Sequence, residues 1–352
     1  MLSIFPGVML AAALAVFGHY ASQLIGVDWM GMPKSPVSPI MMAILSGVLV
    51  RNIINLPASV DPGIRFCLVR ILRLGIILLG IRLSLGEAGQ IGLQSLPVII
   101  GCVLAALVIV TYVSRFVGLT GRLGTLIAVG TSICGTTAIV ATAPTIAAND
   151  DETAYAIACI TLFGVVAMIA YPFAAYWIFD ANAFNSGLFL GTSVHETAQV
   201  AGAGLVYEEY FGDPAALDAA TVTKLVRNLG MVIVIPLMAV LYHRKSAEGA
   251  DPPPWWSMVP LFIVGFALMS LVRTVGDMGD NAFGFLPANQ WHEIVAIVKK
   301  IAEWCLATAM AAVGLGTSIK GLIQIGLKPL CVGLFSAALV GVVSFSLISL
   351  LY

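Results

Sequence analysis

Apolar residues run along this chain in long unbroken stretches separated by short polar connectors. Eleven stretches can be marked off: Pro6–Ile25, Pro39–Leu56, Val69–Leu85, Leu96–Leu119, Thr125–Ala148, Tyr155–Ile178, Ser186–Val206, Val222–Tyr242, Met258–Thr274, Ile294–Ile319 and Leu327–Tyr352. As helices rising 1.5 Å per residue, runs of about 17 to 26 residues cross a hydrocarbon core roughly 30 Å thick. The runs do not alternate every second residue, which argues against a β-barrel. The expected fold is an all-α polytopic membrane protein of about 11 transmembrane helices, forming a single transmembrane domain over residues 1–352. The longest connectors are Tyr207–Thr221, acidic through Glu208, Glu209, Asp213 and Asp218, and Val275–Glu293. No soluble domain fits into them.

Composition sharpens this picture. The 352 residues are 60% hydrophobic and 10% charged, with a mean hydropathy of +1.01, far from the roughly 25% charged residues of soluble domains. A net charge of −1 offers no basic surface for nucleic acid. The six cysteines, Cys67, Cys102, Cys134, Cys159, Cys305 and Cys331, lie in or beside apolar runs without paired spacing, so reduced buried thiols are expected and no disulfide framework or zinc ribbon. The first apolar run lacks a basic segment before Pro6 and a small-residue cleavage site, which predicts a retained helix.

Basic residues separate by side. Alternate connectors place Arg51, Arg65, Arg70, Arg122, Arg244, Lys245, Lys320 and Lys328 on one face. The other face holds Lys34, Lys299 and Lys300 beside nine acidic residues. The positive-inside rule then puts the N-terminus in the cytoplasm and the C-terminus outside.

Internal repetition is visible as well. VSRFVG around Arg115 matches LVRTVG around Arg273, GTSICG (Gly130–Gly135) matches GTSIKG (Gly316–Gly321), and LFGVVAMIAY resembles LVGVVSFSLI. These share a shift of five segments. A further match, GIRLSLGEAGQIGL (Gly80–Leu93) with GLGTSIKGLIQIGL (Gly314–Leu327), has a shift of seven. Both shifts are odd, so both predict inverted halves, over residues 39–179 and 186–352, with an extra N-terminal helix in residues 1–38. Which helices are equivalent stays open, and glycine-rich helices also resemble one another by composition alone.

Two stretches carry candidate chemistry. In GTSICGTTA (Gly130–Ala138), glycines, hydroxyls and the downstream Pro144 would weaken a helix, which is tolerated in a membrane only where freed backbone lines protein or water. A half-helix N-terminus made there could bind an anion through free N–H groups. Thr131, Ser132, Cys134, Gly135, Thr136 and Thr137, with Gly316, Thr317 and Ser318 of the repeat copy, form the candidate substrate site. Close helix packing through small residues is the plainer alternative. GTSVHETAQVAGAG (Gly191–Gly204) places His195 and Glu196 in an apolar run, with Gln199 on nearly the same helical face. An ionisable residue in hydrocarbon usually has a cavity or a partner, so these three are the candidate coupling residues, although a lone histidine often serves only as a helix contact. In TKLVRNLG, Lys224 and Arg227 could snorkel to the outer interface, line an anion path or pair with Glu196.

Enzyme signatures fail in detail. HETAQ has Gln199 where a HExxH zinc protease needs histidine, no GxSxG elbow occurs, and the GTSI segments lack a Walker Gly-Lys-Ser/Thr ending. The expectation is a protein that is not an enzyme, without a cofactor or bound metal.

GTSICGTTAIVATAP, DDETAYAIACITLFG, GTSVHETAQVAGAG and TKLVRNLG resemble the motifs of a bacterial inner-membrane family assigned to sulfate export. The resemblance covers nearly the whole chain. That family is similar in plan to the bile acid, arsenite and riboflavin transporter superfamily, which implies a five-plus-five inverted repeat, crossed discontinuous helices and an elevator-like transporter with a panel and a mobile core. The expected function is secondary transport of a small anion, sulfate or sulfite first, coupled to protons through His195 or Glu196. Sodium held by Glu196, Gln199 and freed carbonyls is the competing coupling ion, an organic anion the competing substrate. A channel or membrane sensor of the same fold stays open, as does a homodimer. The expected partners are the small anionic substrate and the lipid bilayer.

Overall fold

The computed structural model describes residues 3–29, 38–243, 254–279, 281–317 and 326–352. Helices dominate. In chain order they are α1 (Phe5–Gln23), α2 (Pro39–Ile53), α3 (Asp61–Phe66), α4 (Leu72–Leu79), α5 (Leu85–Ala105), α6 (Thr111–Phe116), α7 (Gly121–Ser132), α8 (Thr136–Thr142), α9 (Asp150–Ile178), α10 (Ala183–Ser193), α11 (Thr197–Phe211), α12 (Ala215–Leu229), α13 (Met231–His243), α14 (Trp255–Met258), α15 (Leu261–Gly276), α16 (Ala288–Gly316) and α17 (Leu327–Leu351). A two-stranded antiparallel ribbon, β1 (Asn281–Ala282) with β2 (Leu286–Pro287), precedes α16. Among the described residues, five helical stretches are long and apolar enough to cross a membrane: Phe5–Gln23, Leu85–Phe116, Asp150–Ile178, Ala215–Tyr242 and Leu327–Leu351.

Several helix starts are written into local sequence. Asn149 accepts from the Glu152 amide at 2.8 Å while the Glu152 carboxylate accepts from the Asn149 amide at 3.1 Å, a capping box that opens α9. Thr120 caps α7 by accepting from the Leu123 amide at 3.2 Å, and its hydroxyl donates to Glu152 at 2.5 Å. Ser38 and Asn182 cap α2 and α10 in the same way.

The helices gather into two compact units drawn from interleaved stretches. One comprises Met1–Ile91, Leu205–Pro214 and Leu261–Ile319, the other Gly92–Gly204, Ala215–Pro260 and Lys320–Tyr352. In the first unit α2 and α16 cross at Gly47 and Gly314. A Cβ on Gly314 would stand 2.2 Å from the Ile44 carbonyl oxygen, and one on Gly47 would stand 2.5 Å from that of Ala311, so only glycine permits this backbone approach. The second unit is built on a core of Val110, Leu126, Ile127, Ile139, Ile160, Ile235 and Val332, all buried.

Three sequence expectations change at this level. The connector Tyr207–Thr221 is mostly helix: α11 continues to Phe211 and α12 starts at Ala215. Glu208 and Glu209 are therefore held on a helix, only partly exposed. The run Ser186–Val206 is two helices, because α10 stops at Ser193 and α11 begins at Thr197. The second GTSI segment does not open a gap within its helix up to Gly316: α16 runs unbroken for 29 residues to that glycine.

Candidate functional site

The site is made by two interruptions in the second unit. Helix α7 ends at Ser132, and Ile133 leaves helical geometry at φ −124°, ψ −96°. Gly135 then takes φ +65° before α8 starts at Thr136. A side chain disfavours that region, and a Cβ there would also lie 2.6 Å from Glu196 Cγ. The second interruption, Val194–Glu196, lies against the first.

Each interruption leaves unsatisfied carbonyls at a helix C-terminus, which carries the negative end of the helix dipole. Two wholly buried cations on α12, one turn apart, meet them. Lys224 Nζ donates to the Ile133 carbonyl at 2.9 Å, to that of Val194 at 3.0 Å and to that of His195. Its three protons thus have three acceptors. Arg227 Nε donates to the Ser132 carbonyl at 2.8 Å, while its terminal nitrogens donate to the carbonyls of Thr131 and Thr192. The cations therefore join the end of α7 to the end of α10. Snorkelling does not describe them, since neither side chain reaches the surface of the unit, and their bonds go to main chain. Glu196 is not their hydrogen-bonding partner.

On the opposite side of the interruptions lie the starts of α8 and α11. The Glu196 carboxylate accepts from the Thr136 hydroxyl and, at 3.2 Å, from that of Thr161 on α9. Gln199 accepts from the Glu196 amide at 3.2 Å and donates to the Thr161 carbonyl at 3.1 Å. Thr197 accepts from Asn228 at 3.1 Å. Glu196, Thr136 and Thr197 are partly exposed, and Thr137 is exposed. One side of the crossing is thus closed by buried cations; the other is accessible and lined by a carboxylate, hydroxyls and an amide.

The sequence candidates sort accordingly. Gly135, Thr136, Glu196 and Gln199 come together, with Thr137 beside them in the first turn of α8. Thr131 and Ser132 contribute main-chain carbonyls to the cation clamp. The Ser132 hydroxyl donates to the Val129 carbonyl at 3.0 Å, and Cys134 lies buried against Met231, Sγ to Sδ 3.4 Å. His195 is buried; its carbonyl takes part in the clamp, and its ring nitrogens have no hydrogen-bonding partner among the described residues. Gly316 and Thr317 belong to the first unit. The Thr317 hydroxyl donates to the Val313 carbonyl at 2.8 Å, and its own carbonyl accepts from Asn52 at 2.9 Å. Ser318 lies outside the described residues. Sequence reasoning missed Thr161, although it lies within the DDETAYAIACITLFG motif, and missed the break at Val194–Glu196. The helix-breaking signal there was only SV before HET, without glycine or proline. Among the described residues no cluster of three or more His, Cys, Asp or Glu could hold a metal ion.

Comparison with known proteins identifies the family. A family described as Conserved hypothetical protein 698 matches residues 6–333. A UPF0324 membrane protein of Fusobacterium nucleatum is 33% identical over 318 residues, 89% of this chain and 89% of the relative. One from Chlorobaculum tepidum is 30% identical over 331 residues, 93% and 84% of the respective chains. One from Streptococcus agalactiae serotype V is 31% identical over 343 residues, 97% and 95%. No solved structure matches the chain. With apolar helices, a family match over almost its whole length and relatives that are membrane proteins, this chain is a membrane protein and belongs to the family described as Conserved hypothetical protein 698.

Proposed function

We propose that the chain is a secondary transporter of a small anion, with sulfate or sulfite the first candidates, working by elevator-type alternating access. The observation that carries this reading is the pair of interrupted helices meeting at Gly135 and Glu196. In a membrane, broken helices are tolerated where they line protein or an aqueous cavity, and transporter sites use them. The proposed substrate position is the accessible side of the crossing, at Thr136 and Thr137 with the amides that open α8 and α11.

Glu196 supplies the proposed coupling. Its ionised carboxylate holds the Thr136 and Thr161 hydroxyls and repels an approaching anion; protonation removes the repulsion and loosens those hydroxyls for substrate. Proton and anion occupancy are then linked, each changing the affinity for the other by the same factor. His195 is assigned a lesser part, because a proton on its ring would add a third cation close to Lys224 and Arg227. A sodium ion is the second reading. The hydroxyl oxygens of Thr136 and Thr161 meet the Glu196 carboxylate there, with the Gln199 oxygen on the Glu196 amide, and a hard cation prefers oxygen donors.

The same proposal includes about eleven spans, inverted halves, a bacterial inner-membrane location, an inward N-terminus, an outward C-terminus and no catalytic step. It is tested by reconstituting the purified chain in liposomes, imposing a pH or sodium gradient, and following labelled sulfate and sulfite against a panel of carboxylates. Gradient-driven, saturable uptake that Glu196→Gln uncouples is the expected result. Conductance without counterflow would indicate a channel, and binding without movement a sensor; either outcome overturns the transporter reading.

A further inference from the structure

A second polar cluster lies in the first unit, at the C-terminal end of α11. A cavity of about 370 Å³ is lined by residues of α1, α2, α11 and α16, among them His19, Ile40, Glu208, Glu209, Glu303 and Trp304. Its two adjacent carboxylates are held differently. Glu208 pairs with the nearly buried Arg82 at 2.9 Å. Glu209 accepts from the Ser38 hydroxyl, which is also the cap of α2, and from the Ile40 amide in the first turn of that helix. The end of α11 is thereby docked on the start of α2 through one carboxyl group and two neutral donors.

We infer that Glu209 is a proton-binding site whose protonated form docks the end of α11 on the start of α2 and whose ionised form favours release. The charges around it set the direction. Glu208, on its own helix, and Glu303 of α16 repel an anion at Glu209. Arg82 is engaged by Glu208. Among the described residues, His19 of α1, Lys299 and Lys300 of α16 and Tyr210 of α11 are the other titratable or charged groups near the cavity. The two donors favour the ionised form but are outweighed: burial, reinforced by the like charges, pushes the Glu209 carboxyl from 4.5 up to about 7. Glu208 and Glu209 lie beyond the apolar run that ends at Val206.

The sign follows from linkage. A carboxyl that binds its proton more tightly when docked than when hydrated favours docking at low pH. That advantage is fully present below about pH 4.5 and is lost as pH rises to about 7, beyond which docking reaches a plateau. The limiting slope is tenfold per pH unit, roughly 300-fold across the window. None of this depends on what the protein transports, so it stands or falls separately from the coupling assigned to Glu196.

Hydrogen exchange of the full chain in lipid nanodiscs tests it, with rates corrected for their intrinsic pH dependence. Amides at the start of α2 and the end of α11 are expected to lose protection between pH 5 and pH 7 and then level off. Glu209→Gln, permanently neutral, is expected to abolish the pH dependence and stay protected. Glu208→Gln removes a like charge, so it should move the loss of protection to lower pH; it also serves if Glu209→Gln does not fold. His19→Gln should leave the profile in place. Protection independent of pH in the wild type, or a transition abolished by His19→Gln and unchanged in Glu208→Gln, overturns the inference.

Discussion

Replacing Lys224 with methionine keeps the length of the side chain and removes its charge and donors. In the wild type one ammonium group serves the carbonyls of Ile133, Val194 and His195 within a wholly buried setting. The variant leaves three acceptors without it. A buried polar group left unsatisfied costs about 1–3 kcal/mol, hence roughly 3–9 kcal/mol for three. Removing the ammonium also removes its own desolvation penalty, which offsets part of this loss. With that offset we take the lower part of the range, about 3–5 kcal/mol, for the net effect. At about 2–4 °C per kcal/mol, the apparent melting temperature should fall on the order of 10 °C. Thermal unfolding in detergent at one fixed scan rate checks this, because membrane proteins often unfold irreversibly and scan rate then matters. An anion-path role would predict something else: weaker anion binding at unchanged stability. A melting temperature within about 2 °C of wild type would therefore refute the clamp.

Other expectations follow from particular contacts. Gly135→Ala must hold φ +65° and place its methyl 2.6 Å from Glu196 Cγ; it should lose about 1–3 kcal/mol in unfolding assays and impair gradient-driven transport more than Gly130→Ala does. Arg82→Ala and Glu208→Ala should each destabilise the protein, and the double-mutant cycle should give a coupling of about 1–3 kcal/mol for this partly buried pair. Alkylation of the folded protein in detergent should label Cys331, the exposed cysteine, well before the buried Cys67, Cys102, Cys134 and Cys159, with mass spectrometry as the readout.

What could be read from sequence depended on how local the cause was. The interruption in the fifth apolar run was legible, because Gly135 adopts a conformation that disfavours a side chain and its neighbours are hydroxyls. The interruption at Val194–Glu196 was not. Those residues are held by Lys224 and Arg227, which lie about 30 residues further on, and nothing within the HET segment announces the break. For Lys224 and Arg227 the sequence left interface anchoring, an anion path and pairing with Glu196 open, because hydropathy does not reveal which face of a helix meets a carbonyl. The acidic stretch from Glu208 read as a polar connector for the same reason: Glu208 is balanced by Arg82, more than 100 residues away, and Glu209 by the cap of α2. The share of the substrate site expected of Gly316–Ser318 rested on sequence likeness; Gly316 ends a continuous helix, Thr317 is its cap, and Ser318 lies outside the described residues.

Because Lys224 and Arg227 grip carbonyl oxygens, the clamp reads the main chain and ignores what hangs from it. The clamp itself sets no side-chain requirement at residues 131–133 and 192–195, although the Thr192 hydroxyl is tied separately to that of Ser344. Specificity could drift, or be redesigned by combinatorial substitution at the accessible Thr136, Thr137 and Thr197, while the two cations hold the same backbone frame. Selection for a new cargo and selection for a folded protein would then act on different atoms.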